Sequence, residues 1–266
     1  MKILFLPDIA GRPGRETVKN ILPGVKKEYE PDLVIANGEN LVHGKGVSPK
    51  AIEEMQSVGI DFFTSGNHIW HRKVGVLHLN DKDFPVLRPA NYPPENVPGR
   101  GYQIVEDGMM NKILVINLIG RVFMKKDYDC PFRAFDRILQ ETAHEKPSAI
   151  FVDFHTEATS EKYAMGFYLD GRASAVIGTH THVATADARI LPEGTAYMTD
   201  AGMIGSYDSI IGVKKEAIIN SFLTQLPAKH EPEIIGEMVF NGVIIEINEK
   251  NKKAQTINHI QRFLKI

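Results

Sequence analysis

Apolar residues in the first third of the chain come in short unbroken runs, separated by stretches with helical spacing. Residues 2–6 (KILFL), 32–36 (DLVIA) and 60–64 (IDFFT) each read as a buried strand. Between the first two, Val18, Ile21, Leu22 and Val25 recur at helical intervals, predicting a helix over residues 15–30 that Pro23-Gly24 should kink or split. Ser48-Pro49 supplies an N-cap and a first-turn proline, opening a helix expected to reach about residue 58 and stop at Gly59. Strand, helix, strand, helix, strand is the order of a sheet with parallel neighbours. Residues 85–101 hold Pro85, Pro89, Pro93, Pro94 and Pro98 and read as a stiff loop, because periodic elements resume directly after them. Further strands are expected at 113–119, 149–154 and 174–177, with a helix over 132–145. Rough alternation over 237–247 and 254–264, around the polar turn 248–253, predicts an antiparallel hairpin. The expectation is a single domain over residues 1–266 of the α/β class, a sheet-based sandwich flanked by helices.

Composition narrows this picture. The 266 residues are 43% hydrophobic and 24% charged, enough for an ordinary core without disulfide staples. Cys130 is the only cysteine, which excludes an intrachain disulfide and a thiolate metal cluster and suits a reducing cytoplasm. With 31 basic residues against 33 acidic ones, bulk charge does not support an extended nucleic-acid surface, although it allows a small basic pocket for one phosphate. The N-terminal apolar run is too short for a secretory core, and no run of roughly 20 apolar residues offers a membrane span. A cytoplasmic protein that does not enter membranes is expected. The oligomeric state stays open, with a homo-oligomer among the options, because apolar surface patches cannot be read from sequence.

The chemistry sits at strand ends. Asp8 follows the first strand, Glu39 and Asn40 the second, Asn67 and His68 the third, His155 the run AIFVDF, and His180 and His182 the run SAVI. Ligands of open α/β sheets bind beyond the carboxyl ends of strands, so these clusters are expected to converge. Each has a bland reading alone: Asp8 as a helix cap, Asn67 as a turn residue, His155 as a buried satisfied imidazole. Together, Asp8, Glu39, Asn40, Asn67, His155, His180 and His182 offer carboxylate, amide and imidazole ligands that suit manganese, iron or zinc. They are too many for one ion and fit two ions sharing a carboxylate, with Glu39 or Asp8 as the natural bridge.

In this order the motifs resemble the calcineurin-like metallophosphoesterase superfamily: Asp8-Ile9-Ala10, Gly38-Glu39-Asn40, Gly66-Asn67-His68, His155 and Gly178-Thr179-His180-Thr181-His182. Two departures stand out. Ala10 occupies the place of a metal-binding histidine, and Glu39 that of a bridging aspartate. Both look like the bacterial YmdB-like subfamily, as do the runs from Asp8 to Arg15 and from Gly178 to Asp187. The resemblance implies a two-sheet α/β sandwich with helices on its outer faces. It also implies a first metal on Asp8, Glu39, Asn40 and His182, and a second on Glu39, Asn67, His155 and His180. Asn40 would then replace the missing histidine, and His68 would be free of metal and aimed at substrate. Iron or manganese is expected first, with zinc or magnesium as alternatives.

The implied activity is hydrolysis of a nucleotide phosphodiester, a cyclic mononucleotide foremost, by a metal-bridging hydroxide with His68 as general acid. The competing reading is a regulatory protein that keeps the metals and senses a nucleotide or joins RNA processing with little turnover. Lesser expectations concern the surroundings. Arg12, Arg15, His71 and Arg72 either face the phosphate or hold surface structure. Glu157 and Asp187 are candidates to support imidazoles from behind. Tyr92 and Tyr207 are the better candidates for stacking a base.

Overall fold

In the computed structural model, which describes residues 1–93 and 97–265, the strands are β1 (Lys2–Leu6), β2 (Asp8–Ile9), β3 (Leu33–Asn37), β4 (Phe62–Thr64), β5 (Tyr102–Glu106), β6 (Lys112–Ile119), β7 (Ala149–His155), β8 (Ala175–Thr179), β9 (Arg189–Ile190), β10 (Ala196–Met198), β11 (Met203–Ser206), β12 (Glu237–Asn248) and β13 (Lys253–Lys265). The α-helices are α1 (Gly11–Tyr29), α2 (Pro49–Gln56), α3 (Lys73–Val76), α4 (Pro131–Glu141), α5 (Thr159–Leu169) and α6 (Lys215–Thr224). One sheet runs β2-β11-β12-β1-β3-β4, with β13 paired to β12; the other runs β5-β6-β7-β8-β10-β9. The strands β1, β3 and β4 are mutually parallel in the first sheet, as are β6, β7 and β8 in the second.

Period-two alternation explains why the sheets stack. On β1, Ile3 and Phe5 face the second sheet, meeting Ile113, Phe151 and Ile177 in one apolar layer. The Phe5 and Phe151 rings lie 5.0 Å apart across that layer. Leu4 and Leu6 face the other way, against Val18 and Leu22 of α1. The outer face of the second sheet buries Leu114, Ile116 and Val152 against Phe135 and Ile138 of α4 and Met165 and Leu169 of α5. The result is the expected two-sheet α/β sandwich with helices on its outer faces.

Several sequence expectations shift. The first helix begins at Gly11 and runs through Pro23 without a break, because Val18, Leu22 and Val25 are buried on both sides of the proline. The helix over 132–145 ends at Glu141 and tightens into a 3₁₀ turn at Ala143–Glu145. Ser48 caps α2 as read, accepting a hydrogen bond from Ala51 N. The hairpin is β12–β13, antiparallel from Glu237 to Lys265. Of the prolines in the 85–101 loop, Pro94 lies outside the described residues. Helix α5 escaped the pattern because Lys162 points inward while Tyr163, Phe167 and Tyr168 point out. Among the described residues no helix is long and apolar enough to cross a membrane.

Candidate metal centre

The carboxyl ends of the parallel strands in both sheets meet at one place, and a polar knot fixes their relative position. Asp153 is wholly buried in β7 and accepts hydrogen bonds from Asn37 Nδ2 of β3, from Thr64 Oγ1 of β4 and from Thr179 Oγ1 of β8. Burial pushes its carboxyl up to about 7, against the pull of the Thr179 and Thr64 hydroxyls. Asn117 Oδ1 of β6 accepts from Ser65 N just beyond β4. A charged residue inside the apolar run AIFVDF was a visible signal that sequence reasoning passed over.

This knot sets imidazole tautomers. With Asp153 as a carboxylate, Thr179 donates to it, so His155 Nδ1 donates to Thr179 Oγ1 at 2.9 Å. The His155 Nε2 lone pair then faces Glu39 Oε1 at 3.2 Å, Asn67 Oδ1 at 3.0 Å and His180 Nδ1 at 3.0 Å. His180 turns its other nitrogen to Glu157 Oε2 at 3.1 Å, so its Nδ1 also presents a lone pair. Four lone-pair atoms therefore converge without a proton between them, an arrangement that a cation stabilises and its absence does not. Glu39, His155 and His180 lie within metal-sharing distance of one another. Gly66 makes room for them, since a Cβ there would collide with Glu39 and His155. Burial lowers His155 to about 4 and His180 to about 3, which keeps both rings in the neutral, metal-binding form.

A second set lies beside the first. His182 donates from Nδ1 to Ile211 O at 3.1 Å, leaving Nε2 facing Asp8 Oδ1 at 3.8 Å. Asp8 Oδ1 and Asn40 Oδ1 are buried without a hydrogen-bond partner among the described residues. Asn40 Nδ2 donates to Gly44 O at 2.8 Å, which fixes which end of the amide is free. Asn40 and His182 line one cavity. Orphaned buried oxygens of this kind are the donors a metal ion needs, so the residues present fit metal binding. Ala10 leaves no ligand at its position: a Cβ built on Gly205 would lie only 3.0 Å from the Ala10 Cβ.

The loop bearing both histidines is strained and held. His180 has φ 101° and His182 φ 65°, in the region that side chains avoid. Asp8 Oδ2 accepts from His180 N, while Asp200 Oδ2 accepts from Thr181 N at 3.1 Å and Thr181 Oγ1 at 2.8 Å. Asp200 in turn pairs with Lys162 Nζ, which also donates to Thr179 O at 3.0 Å, and both side chains are 1% exposed. Sequence reasoning missed Lys162 and Asp200; nothing in their local pattern joins a helix residue to a strand end.

His68 stands apart from both ligand sets. Its backbone N donates to Glu39 Oε2 at 3.1 Å, and its ring lines the cavity beside Asn40 and His182. Burial lowers its ring to about 4, against the opposing pull of Glu39.

The surrounding candidates separate. Arg15 donates to Glu54 and to Leu41 O, and Arg72 to Lys45 O and Val42 O, so both hold loops in place. Arg12 and His71 are exposed. Glu157 backs His180, whereas Asp187 binds Thr185 and Thr199 and does not touch the histidine loop. Tyr92 is buried edge-on between Trp70 and Tyr128 and presents no free face to a base, whereas Tyr207 is 54% exposed with its ring edge-on to Phe263.

Residues 4–260 match the family described as YmdB-like protein. A 2',3'-cyclic-nucleotide 2'-phosphodiesterase of Bacillus subtilis (strain 168) is 47% identical over 260 residues, 98% of this chain and 96% of that protein. A hypothetical protein of Thermus thermophilus has a crystal structure that superposes with TM-score 0.90 at 41% identity, covering 99% of both chains. A novel phosphatase of Mycoplasma pneumoniae superposes with TM-score 0.91 at 35% identity, covering 99% of this chain and 93% of that one. The chain belongs to the YmdB-like family of metallophosphoesterases, a family that implies divalent metal ions at such a centre.

Proposed function

We propose that the protein hydrolyses a nucleotide phosphodiester, with a 2',3'-cyclic mononucleotide as the first candidate, at a centre of two metal ions. The observation that carries this reading is the pair of adjacent ligand sets at the joint of the two sheets, one of converging lone pairs around His155 and one with orphaned buried oxygens on Asp8 and Asn40. Asp8, Glu39, Asn40 and His182 would hold the first ion and Glu39, Asn67, His155 and His180 the second, with Glu39 shared. When bound, two ions neutralise the phosphoester charge and activate water for attack on phosphorus. Iron or manganese suits the oxygen and nitrogen ligands, with zinc or magnesium as alternatives. The activity named for the Bacillus subtilis relative supports a diester, and the purely regulatory reading is not favoured.

The chain's own residues would then bind and protonate. Hydrolysis adds water across one P–O bond, and the departing ribose oxygen needs a proton. His68 is the candidate donor, because its ring reaches the cavity without joining either ligand set. Burial lowers its ring to about 4, and the negative charge of a bound substrate would favour its protonated form. We place the protein in the cytoplasm, which its lone cysteine supports. One domain over residues 1–266 is supported by the apolar layer that strands from both halves of the chain share. Exposed Phe222 and Leu223 on α6 support a homo-oligomer, a state that light scattering reads directly.

The test is an assay of metal-loaded protein on 2',3'-cyclic AMP, bis-p-nitrophenyl phosphate and p-nitrophenyl phosphate. Both diesters should turn over faster than the monoester. Chelation should abolish the activity, and manganese or iron should restore it. No turnover of either diester, with both ions bound, would favour the regulatory reading. His68→Gln should lower turnover of the cyclic nucleotide by about 10²–10⁴-fold and affect the nitrophenyl diester much less, because nitrophenolate leaves without a proton. Equal losses on both substrates would remove His68 from the acid role.

A further inference from the structure

The mouth of the centre carries positive and donor groups that the two ligand sets do not use. A cavity of about 180 Å3 opens beside the first set, where Asn40, His68 and His182 share its wall with His43, Lys45 and His230. The last three come from chain segments far apart: the loop between β3 and α2, and the segment after α6. The first of these loops is tightly built. Asn40 Nδ2 donates to Gly44 O, Gly46 N to Glu39 O, and Val42 N to Gly46 O. Arg72 Nε adds a bond to Lys45 O at 3.0 Å. The backbone of Lys45 is thus tied to the ligands Glu39 and Asn40. Its ammonium is exposed and forms no ion pair among the described residues, although its charge is felt at His68.

The floor of the same cavity is where the family pattern is broken. Ala10 and Gly212 line it, and a Cβ on Gly212 would lie 3.7 Å from the Ala10 Cβ. Ala10 contributes only a methyl group to this wall, and the cavity beside it is open to a ligand. Its volume holds a phosphate and the sugar it esterifies, and falls short of the roughly 300–1,000 Å3 typical of sites that enclose a whole drug-sized ligand.

We propose that this cavity is an anion subsite in which Lys45, with His43 and His230 as neighbouring donors, grips the phosphoryl group of the substrate at the mouth of the centre. An ammonium with no carboxylate partner is free to make charge-assisted hydrogen bonds to phosphate oxygens. The absence of a histidine at position 10 then exchanges a metal ligand for room in which the phosphate ester is read. The inference rests on the phosphoesterase reading above, and it makes Lys45 a specificity-determining residue for anionic esters.

The experiment compares metal-loaded wild type with Lys45→Ala and Lys45→Arg, each checked for metal content. Inorganic phosphate is titrated calorimetrically, and bis-p-nitrophenyl phosphate kinetics are followed across ionic strength. Lys45→Ala should weaken phosphate binding and raise KM by about tenfold, with kcat changed by less than about threefold. Its kcat/KM should also depend less steeply on salt. Lys45→Arg should restore both constants to within about threefold of wild type. Phosphate affinity and KM of Lys45→Ala within about twofold of wild type, at equal metal content, would overturn the subsite. Should wild type hydrolyse no diester, the phosphodiesterase reading fails on its own, and the phosphate titration still decides the role of Lys45.

Discussion

Asn40 shows how one side chain can be oriented for a ligand by bonds that have nothing to do with that ligand. Its amide nitrogen is committed to Gly44 O, and its backbone carbonyl accepts from Gly11 N at 2.9 Å. The remaining oxygen is buried with no partner among the described residues. A buried polar atom left so costs about 1–3 kcal/mol, which a cation offsets. Asp8 Oδ1 is in the same condition, and burial raises its carboxyl above the usual range, opposed by the nearby His182 and His155. A positive charge between them therefore answers two penalties at once. If two ions bind as proposed, the expected outcome for Asn40→Ala is loss of one ion per chain, read by elemental analysis of dialysed protein, with the Glu39–His155–His180 set still loaded. Asn40→Asp should keep both. Two ions in the alanine variant would mean that Asn40 is not a ligand and that water completes the first site.

At the scale of elements, the histidine loop after β8 is a strained turn whose shape is imposed from beneath. Two non-glycine residues at positive φ cost about 1–3 kcal/mol each, so the bonds to Asp200 and Asp8 must hold them there. The buried Lys162–Asp200 pair is the clamp. Replacing Asp200 by Asn should leave Lys162 buried and unpaired, lowering stability by about 3–5 kcal/mol in urea unfolding. The informative comparison is Lys162→Met with Asp200→Leu, which should recover part of that stability by removing the unpaired charge yet still lose metal, because Thr181 has no acceptor. Full metal content in the double variant would show that the pair serves packing alone. This clamp also marks where the sequence stops being legible. Strands β1 and β3 are continuous apolar runs, and β7 is one interrupted only by Asp153, so their burial needs no partner to be recognised, and their polar end residues point to the centre. Helix α5 hides, since its inward face contains a lysine and its outward face contains aromatics. What makes Lys162 possible is Asp200, just beyond β10 and 38 residues away, and no local period encodes that pairing. Tyr92 failed as a base platform for the same reason: its ring is enclosed by Trp70 and Tyr128, which come from other loops.

For the whole molecule, the centre is a joint as well as a site. Asp8, Glu39, Asn40 and Asn67 follow strands of the first sheet, whereas His155, His180 and His182 come from the second. Between the sheets, the contact is chiefly apolar layer on apolar layer, with polar bonds at the knot around Asp153, from His180 N to Asp8, and from Ala254 N to Gly194 O. Ions bound across that joint would engage the folded chain and not the unfolded one, so their binding free energy adds to stability. At a hundredfold excess over the dissociation constant this is about 2.7 kcal/mol per site. A domain of this size shifts its melting temperature by roughly 2–4 °C per kcal/mol. Chelation that strips both ions should therefore lower the melting temperature by about 10–20 °C at that excess, and manganese should return it. The lone pairs that face one another around His155 Nε2 add to the loss, because nothing neutralises them once the ions are gone. Hydrogen exchange should locate the effect: amides of Gly66–His68 and of the His180–His182 loop should lose protection first, ahead of the β12–β13 hairpin, which contributes no ligand. A melting temperature unmoved by chelation, with metal loss verified by elemental analysis, would mean that the sheets are held by their apolar layer alone and that the ions serve only the chemistry.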